Sequence, residues 1–230
     1  MLIGYNGLGI YSGAMSIPKL RRRSSGRPAN PLSRKDIVAL ALPVFAGRGP
    51  DAVSIREVAE LAGIRKASMY HHFESKDALY EAVIADAVGS LFELVSAARL
   101  DEGDFIERID RLGALIIDYF AAHPEAARLL VRELIGAGPY LHGAGGAQVQ
   151  ATLTLTAAFL EAGMEAGAFR RSDPRHLALS IASLHLLPFA MPEPVTEFLG
   201  GSLSSPQQVA LRKASVLAQV QLLCVADPRR

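Results

Sequence analysis

The chain has 230 residues, half of them hydrophobic, with one cysteine and 24 basic against 23 acidic residues. That length suits a small module joined to one larger bundle. No run approaches the roughly 18 unbroken apolar residues of a helical membrane span, so none is expected, and the lone Cys224 excludes an internal disulfide and fits a reducing cytoplasm.

Met1 to Ile17 holds four glycines (Gly4, Gly7, Gly9 and Gly13) and no leading positive charge, so no secretory signal is expected, and Met15 is a second candidate start. The run Lys19-Leu20-Arg21-Arg22-Arg23-Ser24-Ser25-Gly26-Arg27-Pro28 has no apolar period. Residues 1–32 therefore read as a disordered basic arm. Its candidate DNA contacts are Arg21, Arg22, Arg23 and Arg27, either in an adjacent minor groove or as unspecific phosphate contacts.

Helical signals begin at Ser33, which forms an S-x-x-D cap with Asp36. Ile37, Leu40, Ala41, Val44 and Phe45 recur at three- and four-residue steps. Pro43 inside this helix predicts a bend without loss of the helix, and Gly47, Gly49 and Pro50 end it. Ser54 to Glu57 reads as a second capping box, followed by the stripe Ile55, Val58, Ala59 and Ala62. Gly63 suits a tight turn with positive φ. A short helix from about Lys66 to Phe73 points Met69 and Phe73 inward. Ser75 then caps a long fourth helix.

Two short helices joined at a glycine turn have the size of a helix-turn-helix, whose second helix presents its outward side chains to the major groove. Here those side chains are Arg65, Lys66, Ala67, Ser68, Tyr70 and His71. Arg and Lys read guanine or bind phosphate, Ser pairs with either groove partner, and Ala touches a thymine methyl. His72 adds a donor, and Lys76 sits at a helix start that already favours phosphate. As a metal pair His71 and His72 fit poorly, because neighbours on a helix point about 100° apart. No metal site and no cofactor is expected.

Charge gives independent support. Up to Lys76 there are 12 basic and 5 acidic residues, a net of +7, and the remainder carries 12 basic and 18 acidic, a net of −6. A basic head on an acidic body is the footprint of a nucleic-acid binder.

The segment resembles the DNA-binding domain of the TetR family of transcriptional regulators. The matching pieces are Phe45-Ala46-x-Arg48-Gly49, Ser54-Ile55-Arg56-Glu57-Val58-Ala59, Ala62-Gly63-Ile64, and Met69-Tyr70-His71-His72-Phe73-x-Ser75-Lys76-x-x-Leu79. The resemblance implies an all-α homodimer: an N-terminal three-helix helix-turn-helix domain over 33–80, and a C-terminal helical bundle over 81–230 for ligand binding and dimerisation. It implies DNA contacts at Lys66, Ala67, Ser68, Tyr70, His71, His72 and Lys76, and release of DNA when a small ligand binds. Two departures stand out. Arg65 replaces the Ser that often caps the recognition helix, and Pro50 replaces a common aromatic.

The body reads as helices at 76–98, 105–122, 124–137, 146–167, 174–190 and 205–226, with a break from Pro192 to Ser205. Ile116, Tyr119, Phe120, Leu130, Leu134, Leu153, Phe159 and Met164 are candidates to line an inter-helix cavity, although residues at such spacing are more often plain core. His123, Glu133, Gln150 and Thr154 are candidate polar anchors. Such a lining favours an apolar or aromatic effector. The helices 174–190 and 205–226 are apolar on more than one side, so each has to bury two faces. Leu177, Ile181, Leu184, Val216, Val220 and Leu223 are the candidate contacts of a two-fold dimer, which would pair two recognition helices with a near-palindromic operator.

The expected function is a sequence-specific, DNA-binding regulator, most simply a repressor released by a largely apolar effector. The alternative is a DNA-binding regulator without a ligand, controlled by a protein partner. An enzyme is disfavoured: there is no phosphate loop, zinc spacing or nucleophile elbow, and Gly143-Ala144-Gly145-Gly146 lacks the strand that a dinucleotide turn needs.

Overall fold

A computed structural model describes residues 32–98, 102–136 and 144–225. The expectations for Arg21, Arg22, Arg23 and Arg27, and for a start at Met1 or Met15, concern positions outside the described residues. Among the described residues there are ten helices and no strand.

The first four helices are α1 (Arg34–Arg48), α2 (Ile55–Ala62), α3 (Lys66–His72) and α4 (Lys76–Ala97). Ser33 caps α1 reciprocally: its hydroxyl accepts from the Asp36 amide at 3.2 Å, and the Asp36 carboxylate accepts from the Ser33 amide at 2.8 Å. The Ser33 hydroxyl, which also donates to the Asp36 carboxylate at 2.8 Å, and the Ser33 amide together hold the Asp36 carboxyl below its ordinary value. Pro43 lies within α1, and the helix continues through it to Arg48. Gly63 ends α2 with φ of 69°, a left-handed turn that aims α3 across α2. Phe45, Val58, Met69, Phe73 and Leu79 are all buried where these helices meet.

The body adds α5 (Phe105–Ala122), α6 (Pro124–Gly136), α7 (Ala144–Glu165), α8 (Pro174–Ala190), α9 (Pro192–Leu199) and α10 (Pro206–Cys224). Helix α9 falls where the sequence predicts a break. Pro192 and Pro194 suggest that break, but prolines in a first helical turn remove only amides that have no intrahelical partner anyway. α9 then stops at Gly200, with φ of 66°.

Packing follows from the buried stripes. α6 lies against both α1 and α8, α7 against α8 and α4, and α10 against α5 and α8. Gly113 allows the last approach: a Cβ there would sit 2.9 Å from Leu217 of α10 and 3.0 Å from His185 of α8. Polar ties hold the same contact, with Lys213 donating to Asp118 at 2.6 Å and Gln221 to Asp110 at 2.7 Å. One buried core runs from Ile37 of α1 to Cys224 of α10.

The end of α7 is tied to the end of α10. The Arg170 amide donates to the Cys224 carbonyl at 2.7 Å, beside an isolated bridge between Phe169 and Val225. Phe169 is buried against Phe105 and Phe159, with ring centres 5.7 and 6.0 Å apart. Gly163 makes room for it, since a Cβ there would lie 2.1 Å from Phe169. Replacing a helical Gly by Ala normally gains about 1 kcal/mol. Here the locked ring makes overpacking the larger effect, and Gly163→Ala is expected to cost about 1–3 kcal/mol. Urea unfolding checks this: a midpoint at or above that of the parent protein would refute it.

Candidate nucleic-acid interface and cavity

Helix α3 is two-faced. Met69 is buried on its inner side, and Phe73 is buried just beyond its end. Arg65, Lys66, Ala67, Tyr70 and His71 are exposed on the other side, while Ser68, His72 and Lys76 are half-buried. The side chains named from sequence therefore share one accessible region around α3. Arg65 stands at the N-cap position and makes no side-chain cap bond, so its guanidinium is not committed to the helix. The Lys66 ammonium lies 5.9 Å from the Tyr70 ring centre, one helical turn away.

The supports of α3 differ in two ways from the sequence reading. The Ser54 hydroxyl accepts from the Glu57 amide at 3.2 Å, but the reciprocal half of the expected capping box is absent. The Glu57 carboxylate instead pairs with Arg48 at the end of α1, because a guanidinium fork offers it more than one amide does. Lys76 is also anchored: its ammonium donates to the Pro50 carbonyl at 2.8 Å, tying the start of α4 to the α1–α2 turn.

A cavity of about 280 Å³ lies among α4, α5, α6, α7, α8 and α10. Of the residues named for it, Ile116, Phe120, Leu130, Leu134, Leu153 and Phe159 line it. Tyr119, His123 and Met164 do not. Tyr119 turns its hydroxyl to the Ala87 carbonyl at 3.4 Å, His123 is exposed at the end of α5, and Met164 is packed in the core. Of the candidate anchors, Glu133 lines the cavity, whereas Gln150 and Thr154 sit on the exposed side of α7.

Sequence reasoning missed the other polar residues of the lining: Thr152, Thr156, Ser183 and His185. The hydroxyls of Thr152, Thr156 and Ser183 each donate to the carbonyl four residues back, at 3.0, 3.0 and 2.9 Å. His185 is buried, with Nδ1 2.8 Å from the Ile181 carbonyl, and burial holds its pKa below the ordinary value. The i−4 spacing of a hydroxyl to a carbonyl is visible in any helix, so the one available signal was that these residues follow the inward track of α7 and α8.

Glu133 joins the cavity to the first helices. Its side chain is buried, and its Oε1 accepts from the Tyr80 hydroxyl of α4 at 2.5 Å. Tyr80 packs edge-on against Phe45 of α1, with ring centres 5.0 Å apart. The preceding residue on α6, Arg132, donates to the Ala46 carbonyl at 3.3 Å.

The six residues named for a dimer face mostly point inward. Leu177, Ile181, Val216 and Val220 are buried in the chain's own core, and Leu184 and Leu223 are half-buried. The exposed apolar residues of these two helices are Leu179, which also borders the cavity, Leu187, Leu211 and Leu222. Both faces of each helix carry Leu and Val, so residue type alone does not separate them.

Among the described residues, no group of His, Cys, Asp and Glu has the arrangement of a metal site, and no helix is long and apolar enough to cross a membrane. Residues 37–83 match the family model of bacterial regulatory proteins of the tetR family. Residues 106–220 match that of the tetracyclin repressor-like C-terminal domain. The HTH-type transcriptional repressor KstR2 of Mycolicibacterium smegmatis is 44% identical over 66 residues, which cover 28% of this chain and only 32% of that protein. The HTH-type transcriptional regulator RutR of Escherichia coli is 26% identical over 172 residues, covering 73% of this chain and 81% of the relative. Among solved structures, AibR in complex with isovaleryl coenzyme A and operator DNA superposes with a TM-score of 0.67 at 16% identity, over 81% of this chain and 97% of that one.

The Tyr80–Glu133 bond yields a stability prediction. Burial and the Glu133 carboxylate push the Tyr80 hydroxyl above its ordinary value of 10.0. Folding thus favours the neutral phenol, so this contribution is complete below about pH 10 and is lost as pH rises through the folded value. Tyr80→Phe leaves a buried carboxylate without its donor and is expected to cost about 1–3 kcal/mol near neutral pH. Its stability should also fall less steeply than the parent's at alkaline pH. Equal urea midpoints for the two proteins at pH 7 would rule this out.

Proposed function

Because the chain belongs to the TetR family of bacterial regulatory proteins and is a DNA-binding transcriptional regulator, not an enzyme, we propose that it is a repressor released from a near-palindromic operator by a small, largely apolar effector. The cavity carries this reading. Its volume of about 280 Å³ is near the lower end of ligand-site sizes, roughly 300 Å³ upward, and its lining is almost wholly apolar. Its position beside α6 also supports coupling to the first helices. Leu130, Glu133 and Leu134 line it from α6, and α6 packs directly on α1. An effector that prefers one setting of α6 would shift the population of settings available to α1 and the helices it supports.

On this reading DNA is met by Arg65, Lys66, Ala67, Ser68, Tyr70, His71, His72 and Lys76. Lys76 acts while still bonded to Pro50, as an anchored rather than a searching cation. The exposed Leu179, Leu187, Leu211 and Leu222 form the two-fold contact that sets the spacing of two recognition helices. The resemblance to a ligand-bound and operator-bound neighbour agrees with such a division of labour.

Selection of bound fragments from random-sequence DNA is expected to return a near-palindrome, and an asymmetric single site would count against the dimeric reader. On the selected site, Tyr70→Ala is expected to weaken binding by about 1 kcal/mol or more. Lys66→Ala should weaken it on all sequences and lower the salt slope by about 0.9. Fluorescence anisotropy measures both, and unchanged affinity in both variants would remove these contacts. Leu222→Glu is expected to shift the protein toward monomer in analytical ultracentrifugation, and an unaltered dimer would exclude that residue from the contact.

A further inference from the structure

The polar lining of the cavity is unbalanced, and the imbalance specifies a ligand. Five polar side chains line it. Thr152, Thr156 and Ser183 have each committed their only proton to a carbonyl of their own helix. His185 is 2% exposed, and its Nδ1 faces the Ile181 carbonyl, which can only accept, so Nδ1 carries the proton. Its Nε2 is left as a bare acceptor with no partner. Glu133 is 4% exposed; its Oε1 accepts from Tyr80, and its Oε2 has no partner. The lining thus holds two unpartnered acceptors and no uncommitted donor.

A buried carboxylate with half of its acceptor capacity unmet is costly, and a cation or donor brought to it relieves that cost. No other charged side chain lines the cavity. The Tyr80 hydroxyl supplies one neutral hydrogen bond and no countercharge.

Resting on the reading of this cavity as the effector site, we infer that it takes a mainly apolar ligand with a hydrogen-bond-donating head group, an ammonium above all, held at Glu133, and that it rejects a carboxylate on the same apolar body. The carboxylate would set two like charges together in a largely apolar cavity, with no donor to separate them.

Three probes that differ only in the head group test this: 4-phenylbutylamine, 4-phenylbutan-1-ol and 4-phenylbutyrate, titrated calorimetrically at pH 7 into the full chain. The amine is expected to bind best, the alcohol next, and the acid at least about tenfold more weakly than the amine, since a charge-assisted bond is worth about one decade in affinity. In Glu133→Gln, which keeps an acceptor for Tyr80 but not the charge, the amine's advantage over the acid is expected to shrink by about tenfold. An acid that binds as well as the amine overturns the head-group inference and leaves the effector cavity standing. So does a preference for the amine that survives unchanged in Glu133→Gln. Should that variant fail to fold, the ranking in the parent protein decides alone. Failure of all three probes to bind to protein that still binds its operator overturns the effector cavity itself, and this inference with it.

Discussion

The Tyr80–Glu133 hydrogen bond is the constraint on which the rest of the molecule depends. It is made between two side chains that α4 and α6 bury together, far from solvent competition. On one side Tyr80 leans on Phe45, so the bond is mechanically continuous with α1. On the other, Glu133 belongs to the cavity wall. A buried polar contact of this kind is worth little net when complete and costs much when broken. That asymmetry ties α4 to α6 at this point, because separating them leaves both groups in need of new partners.

The first three helices are joined beside this point by their caps and turns. Ser33 with Asp36, Ser54 with the Glu57 amide, and Gly63 at φ of 69° set the ends of α1 and α2. The Arg48–Glu57 pair and the bond from Lys76 to Pro50 join the ends of α1, α2 and α4. None of these contacts touches the outward side of α3. The exposed residues of α3 are therefore free to meet another molecule without dismantling what holds them, which is what a sequence reader needs.

Much of this was legible in the chain because it is local. Capping residues act within three positions, a stripe of apolar residues repeats every three or four, and Gly63 answers to its own backbone. Hence α1 to α8 were anticipated to within a few residues, and the accessible side of α3 could be named. The errors concern contacts between residues distant in sequence. Local spacing makes Glu57 half of a capping box, but Arg48, nine residues away, competes for its carboxylate and wins. Leu177, Ile181, Val216 and Val220 were placed on an outer face because α8 and α10 are apolar on both sides. Helix α9 was read as a break because two prolines look alike whether they end a helix or begin one.

By itself, then, the sequence determined that the protein is helical, where the short helix with the exposed basic side lies, and that a basic head precedes an acidic body. These properties follow from backbone periodicity, caps and charge, all of which act over a few residues. Only the tertiary structure decided which apolar residues enclose the cavity, which leucines face outward, and which polar atoms are left without partners. Burial and hydrogen-bond satisfaction are properties of packed neighbours, and neighbours such as Tyr80 and Glu133 stand 53 positions apart in the chain.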